Sequence, residues 1–374
     1  MAESIIAKAA VLYRAGGPLR IEEVVVAAPG PGEVRVQMKA AGVCHSDLHV
    51  MRGELPMPVP VIPGHEGSGV VESVGPGVTS VRPGDRVIPI WRTSCGRCTY
   101  CLSGRPALCD VGSRMRTDGT MPDGTRRFTT RDGRAINHYA GVSTFASVSV
   151  IPEAAVVKTP DDYGFDHAAL LGCGVITGVG AVTTAAKVEP GSTVAVFGAG
   201  GVGLNIIQGA RMVSARRIIA IDRNAAKETK ARELGATDFV VAGDGVDTVA
   251  AVRELTGGRG VDFAFESAGL PQVVEHAYDS TRKGGTCVAA GLSRPDARAM
   301  INVNQLVYGE KTLRGTLYGS MRPSIDLPML IDLHRAGKLE LDALLTRTYP
   351  LEQINEAYED LERGELARGL IIYP

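Results

Sequence analysis

The chain has almost no charge imbalance: 40 Lys and Arg face 41 Asp and Glu in 374 residues, a formal net charge of −1. That removes the electrostatic case for nucleic acid or an anionic membrane as partner. A leader-like start is also lacking, because MAESIIAKAAVLYR sets Glu3, Lys8 and Arg14 among short apolar runs, unlike a signal-peptide core or a spanning segment. An even set of cysteines is missing too. The seven present cluster at metal-ligand spacings, which argues for thiolates holding metal in a reducing compartment rather than for a disulfide framework. A cytoplasmic location is therefore expected. What is there is an ordinary globular composition, 44% hydrophobic and 22% charged, in a chain long enough for about two domains.

The stretch from Gly42 to Gly67, GVCHSDLHVMRGELPMPVPVIPGHEG, packs a thiol, imidazoles, a hydroxyl and carboxylates into one loop-rich segment. Cys44 and His65 are its natural metal ligands, and a third must come from elsewhere. Short β-branched runs around it, IEEVVV, EVRVQM and DRVIPIW, are broken by Gly and Pro and read as a compact β-rich unit. Then come Cys95, Cys98, Cys101 and Cys109, a spacing that lets four sulfurs close on one ion and leaves no position for substrate, as in a structural zinc site. A DNA-reading zinc finger would need a basic helix beside it. Six arginines between Val111 and Arg134 (Arg114, Arg116, Arg126, Arg127, Arg131, Arg134) read as a solvated loop, with an anion-binding rim as the sharper alternative.

Cys173, between two glycines in LLGCGVITGVGAV, is either a small buried hydrophobe or the third ligand. In the second case Cys44, His65 and Cys173 leave the fourth zinc position open, the pattern of a catalytic zinc. Composition changes there to strand and helix alternation, which implies a doubly wound parallel sheet. STVAVFGAGGVGLNIIQGARMV gives a strand, a turn carrying Gly198, Gly200 and Gly203 as G-x-G-x-x-G, and a helix. Such a turn brings backbone N–H groups to a pyrophosphate. The next strand, RIIAID, ends at Asp222, placed for an adenosine ribose and repulsive to a 2′-phosphate, so NAD is expected over NADP; Arg223 beside it pulls the other way.

With GHEGSGVVESVG, the cysteine cluster, LLGCGVITGVGA and VFGAGGVGL in this order, the chain resembles the zinc-dependent alcohol dehydrogenases of the medium-chain dehydrogenase/reductase family over its whole length. The resemblance implies an α/β protein with a GroES-like catalytic domain over residues 1–178 and 316–374 and a Rossmann NAD-binding domain over 179–315. It also implies two zinc ions, one catalytic on Cys44, His65 and Cys173 and one structural on Cys95, Cys98, Cys101 and Cys109. By position, Ser46 matches the hydroxyl at the substrate oxygen and His49 the outer end of a proton relay, while Asp47 and Glu66 match carboxylates behind the metal. Thr177 and Val202 match nicotinamide contacts, Gly201 lies in the cofactor turn, and His45 and Arg368 match pyrophosphate positions. Trp91, Phe145 and Leu292 match the substrate pocket.

The expected activity is hydride transfer between a primary alcohol, aryl or allylic, and NAD, by a homodimer, with a tetramer as the alternative. A formaldehyde–thiol adduct is the other substrate reading, because the loop before MPDGTRRF resembles the class that oxidises it. The short MRGELP segment departs from that class. A cofactor-binding relative without turnover is the non-enzyme reading.

Overall fold

The computed structural model describes residues 3–374. The chain forms two compact units, Met1–Cys173 with Arg322–Leu330 and Leu344–Pro374, and Gly174–Met321 with Ile331–Ala343. The sequence expectation assigned everything after residue 315 to the first lobe. Residues 316–321 and Ile331–Ala343 instead group with the second unit, as do residues 174–178; in Ile331–Ala343 the tie is the Gln208 amide, which donates to Glu340 O at 3.1 Å and accepts from Glu340 N at 2.8 Å. That tie joins residues far apart in sequence, so no local pattern announces it.

In the first unit the eleven-residue strand Glu33–Val43 is the spine. It pairs antiparallel with Gly67–Val74, Val148–Pro152 and Arg368–Ile372 in a seven-stranded sheet. Two registers matter: Ala41 faces Gly67 and Val43 faces Gly369. They bring the residues after Val43, before Gly67 and beside Gly369 to one end of the sheet. A five-stranded sheet runs Ile5–Val11, Arg20–Val26, Phe128–Thr130, Ala135–His138, Val61–Ile62. Its inward Val, Ile and Phe residues, such as Val24, Phe128 and Ile136, enter one apolar core with Val34, Val36 and Met38 of the spine.

The second unit is a six-stranded parallel sheet in the order Asp238–Val241, Arg217–Asp222, Thr193–Phe197, Val261–Glu266, Thr281–Ala289, Thr312–Gly315. Numbered along the chain this is 3-2-1-4-5-6, the doubly wound arrangement, whose direction reverses beside Thr193–Phe197. Cys287 is wholly buried within one of these strands. The helical run Phe165–Ala186 is long and apolar enough to cross a membrane by length and composition, but 89% of its most apolar window is buried inside the protein, as in a core helix.

Candidate active site and metal centres

Cys44 ends the spine strand and begins the helix His45–Met51. His65 precedes Gly67, and Cys173 comes from the buried Phe165–Ala186 run. The ligand atoms of Cys44, His65, Glu66 and Cys173 all lie within 4.8 Å of one another. His65 Nδ1 meets Asp47 Oδ1 at 3.0 Å, and the same oxygen accepts from Gly64 N at 3.0 Å. An ionised carboxylate only accepts, so the proton sits on Nδ1 and the Nε2 lone pair is left over. Nε2 is fully enclosed, facing the Cys44 sulfur, with a Glu66 carboxylate oxygen 3.8 Å away. Arg368, brought to this end of the sheet by the pairing of Gly369 with Val43, forms a buried ion pair with Glu66.

The electrostatics favour a cation. Cys44 is held well below the ordinary thiol range, first by the hydrogen bond from Cys173, against the cost of burial, with His65 and Arg368 adding to it. That same bond, with burial, pushes Cys173 well up. The two sulfurs thus share one proton, and negative charge stands ready among them. Burial opposes protonation of His65, but Asp47 and Cys44 outweigh it and raise the ring well above its usual value. An ion competes with that proton for Nε2, and two sulfurs with an imidazole nitrogen are the donor set that suits zinc and leaves a position open.

Around this cluster, Ser46 Oγ stands 3.7 Å from Cys44 Sγ. His49 lies one turn further along the same helix, half-buried, and His45 is exposed on it. Trp91 and Tyr139 set their rings edge-on to His65, at 5.8 Å and 5.7 Å. Tyr139 is a site residue that sequence reasoning missed, since nothing in its local run distinguishes it from a strand-end tyrosine. Burial pushes its hydroxyl up to about 12. Phe145 is fully buried and edge-on to Tyr358 at 6.1 Å, part of the core. Leu292 belongs to the second unit, partly exposed.

The other four sulfurs, of Cys95, Cys98, Cys101 and Cys109, also lie within 4.8 Å of one another. Backbone N–H groups turn onto them, Cys95 N to Cys109 Sγ at 3.2 Å and Cys98 N to Cys95 Sγ at 3.4 Å, as in a knuckle folded around an ion. All seven cysteines are free. The arginine-rich segment after Cys109 is corrected: Asp110–Asp118 is a helix, not a loop. Asp110 in its first turn, Arg116 in its last and left-handed Gly119 beyond it are ordinary start and stop signals, masked by the density of arginines.

In the second unit the helix Gly201–Met212 starts at the glycine turn. A Cβ on Gly203 would stand 1.7 Å from Gly198 O, so only glycine lets the helix start this close to the turn, while a Cβ on Gly200 would meet nothing. Asp222 Oδ2 accepts from Ala199 N at 2.7 Å and pairs with Lys227 at 2.9 Å, and Oδ1 accepts from Asn224 N at 2.9 Å. The carboxylate is thereby fixed beside the glycine turn, with Arg223 exposed next to it. Lys227 went unnoticed in the sequence. Val202 lies in the first turn of that helix, and Thr177 is buried on Ile176–Gly180.

The alcohol dehydrogenase GroES-like domain family matches residues 30–161 and the zinc-binding dehydrogenase family residues 201–334. An NDMA-dependent alcohol dehydrogenase of Amycolatopsis methanolica is 43% identical, over 98% of this chain and 98% of that one. The chain belongs to the zinc-dependent alcohol dehydrogenases of the medium-chain dehydrogenase/reductase family. Other members of that family are close as well. An S-(hydroxymethyl)glutathione dehydrogenase of Paracoccus denitrificans is 40% identical over 98% of this chain and 99% of that one. The crystal structure of benzyl alcohol dehydrogenase from Acinetobacter calcoaceticus superposes with a TM-score of 0.93 at 33% identity, covering 99% of this chain and 100% of that one. The activity is zinc-dependent oxidoreduction of an alcohol and aldehyde pair.

Proposed function

We propose that this alcohol dehydrogenase oxidises primary alcohols bearing an aryl or allylic group, with NAD as hydride acceptor and a catalytic zinc on Cys44, His65 and Cys173. The observation that carries the reading is the enclosed His65 ring, its ligand nitrogen within 4.8 Å of two sulfurs, with Trp91 and Tyr139 edge-on to it. When bound, zinc supplies Lewis acidity to the alcohol oxygen and NAD the carbon that takes up hydride. Ser46, next to the Cys44 sulfur, takes the hydroxyl proton and hands it to His49, which releases it to water. Asp47 holds the His65 ring, and the Glu66–Arg368 pair balances buried charge behind it. The glycine turn at Gly198, Gly200, Gly201 and Gly203 receives the pyrophosphate, Asp222 the adenosine ribose, and Thr177 and Val202 the nicotinamide. His45 and Arg368 are assigned to the pyrophosphate as well. Cys95, Cys98, Cys101 and Cys109 hold a second, structural zinc.

A second substrate reading, an S-(hydroxymethyl)thiol, is favoured by one observation. Arg116 is half-buried and close enough for its charge to weigh on Tyr139 and on buried Arg92, so it can meet an anionic tail. The NDMA dependence named for one relative leaves a second oxidant to compare with NAD. We assign a homodimer in the cytoplasm. The edge strand Thr312–Gly315 is exposed throughout, beside exposed Met300, Val303, Val307 and Tyr308, a surface suited to a second copy; free cysteines suit a reducing compartment.

The test is a panel of benzyl alcohol, ethanol and S-(hydroxymethyl)glutathione with NAD, NADP and NDMA. Benzyl alcohol with NAD is expected to give the highest kcat/KM. A higher value for ethanol overturns the aryl assignment, and a higher value for the adduct moves the assignment to the second reading. Bound zinc without turnover on any substrate revives the non-enzyme reading.

A further inference from the structure

We infer that Glu54 is the positioning residue that holds His49 ready as proton acceptor; the inference rests on reading His49 as the outer end of the proton path. The pair is built by the turn that ends the active-site helix. After Arg52, Gly53 N donates to Val50 O at 3.0 Å and Glu54 N to His49 O at 2.9 Å, the two nested bonds of a Schellman cap. That cap carries the second residue past its Ccap back over the residue three from the helix end. Here those residues are Glu54 and His49. Where an apolar pair commonly fills the contact, this chain sets a carboxylate against an imidazole, Glu54 Oε2 at 2.5 Å from His49 Nδ1.

The turn has little freedom to place the pair otherwise. Gly53 holds φ +76°, and a Cβ there would lie 2.9 Å from Ala15 Cβ. Leu55 N adds a further bond to His49 O at 3.1 Å. One short segment therefore fixes both the end of the helix that carries Ser46, Asp47 and His49 and the orientation of the His49 ring.

The chemical consequence is a single tautomer. The carboxylate accepts the Nδ1 proton, so Nε2 keeps its lone pair; an imidazole without such a partner divides between two tautomers. A proton arriving at Nε2 converts the ring to imidazolium facing the Glu54 carboxylate, and departs from Nε2 to water, leaving the pair as it began. Both side chains are about a third open to solvent, 30% for His49 and 29% for Glu54, so that exit is available.

The experiment compares Glu54→Ala, Glu54→Gln, His49→Ala and the Glu54→Ala/His49→Ala double variant as zinc-replete protein. It uses the best alcohol and oxidant of the panel and reads kcat, alcohol KM and zinc content. Glu54→Ala is expected to lower kcat about tenfold, the scale seen when a partner that orients a histidine is lost, with KM and zinc unchanged. Glu54→Gln, whose amide oxygen still accepts from Nδ1, recovers most of the rate. In the His49→Ala background Glu54→Ala has no further effect. The same loss from Glu54→Ala in both backgrounds overturns the inference and makes Glu54 a fold residue. A kcat lowered by His49→Ala but untouched by Glu54→Ala overturns it while leaving the relay standing. A kcat untouched by His49→Ala removes the relay reading itself.

Discussion

Asp47→Asn isolates the role of the carboxylate behind His65, the proposed catalytic zinc ligand. Asp47 is fully buried, and its Oδ1 accepts from both Gly64 N and His65 Nδ1 at 3.0 Å. Asparagine keeps an oxygen in that place, so both bonds survive as neutral ones. What is lost is charge assistance. Hydrogen bonds to charged groups contribute about 1.5–3 kcal/mol and neutral ones about 1 kcal/mol, so the change at His65 is roughly 0.5–2 kcal/mol. That is about a two- to thirtyfold fall in zinc affinity, its upper part overlapping the range for partners of metal-bound histidines. The fold should tolerate it, because burial already works against the Asp47 charge and raises its pKa. The assay is chelator competition for the catalytic zinc, alongside thermal melting of the metal-free protein. Wild-type zinc affinity with lost turnover would refute the reasoning, since Asp47 would then act in the chemistry and not through His65.

Two other perturbations test separate parts of the molecule. His138 is wholly buried, accepts from Arg127 N at 3.0 Å on Nε2, and is pulled from 6.5 down to about 3, first by burial and then by Arg127 and Arg126. Between those values the unfolded chain takes up a proton that the folded one refuses, so stability falls as pH drops from about 6.5 toward 3 at ~1.4 kcal/mol per unit. Denaturant unfolding at pH 7.5 and 5 should show a loss of about 2 kcal/mol that is absent from His138→Gln; equal losses in both proteins would contradict it. Asp222→Asn keeps an acceptor for Ala199 N but removes the charge a 2′-phosphate would meet, so the ratio of kcat/KM with NAD to that with NADP should fall by about tenfold or more. An unchanged ratio would place cofactor choice elsewhere, with Arg223 and Lys227 the groups to test next.

The local patterns carried much of this site. G-x-G-x-x-G after a strand and the spaced cysteines each specify backbone that only a few conformations satisfy, so the doubly wound sheet and the four-cysteine cluster were legible in short segments, whereas Cys173 joined Cys44 and His65 only through the family resemblance. What local pattern could not carry was register and return. Tyr139 reaches His65 because strands far apart in sequence pair, and Ile331–Ala343 joins the second unit through one amide on Gln208. The helix Asp110–Asp118 was hidden because arginine favours helix and solvated loop alike. Glu54 was in plain view within MRGELP. Its contact depends on a cap that bends the chain back onto His49, which no local pattern in that segment announces.

The most direct test of the two-centre account is zinc content per chain in wild type, Cys173→Ser and Cys98→Ser. Two ions are expected in the wild type, from one open and one closed site. Cys173→Ser should keep one ion and a wild-type melting profile while losing turnover, and Cys98→Ser should chiefly lower the melting temperature. A single zinc that survives Cys173→Ser would contradict the account.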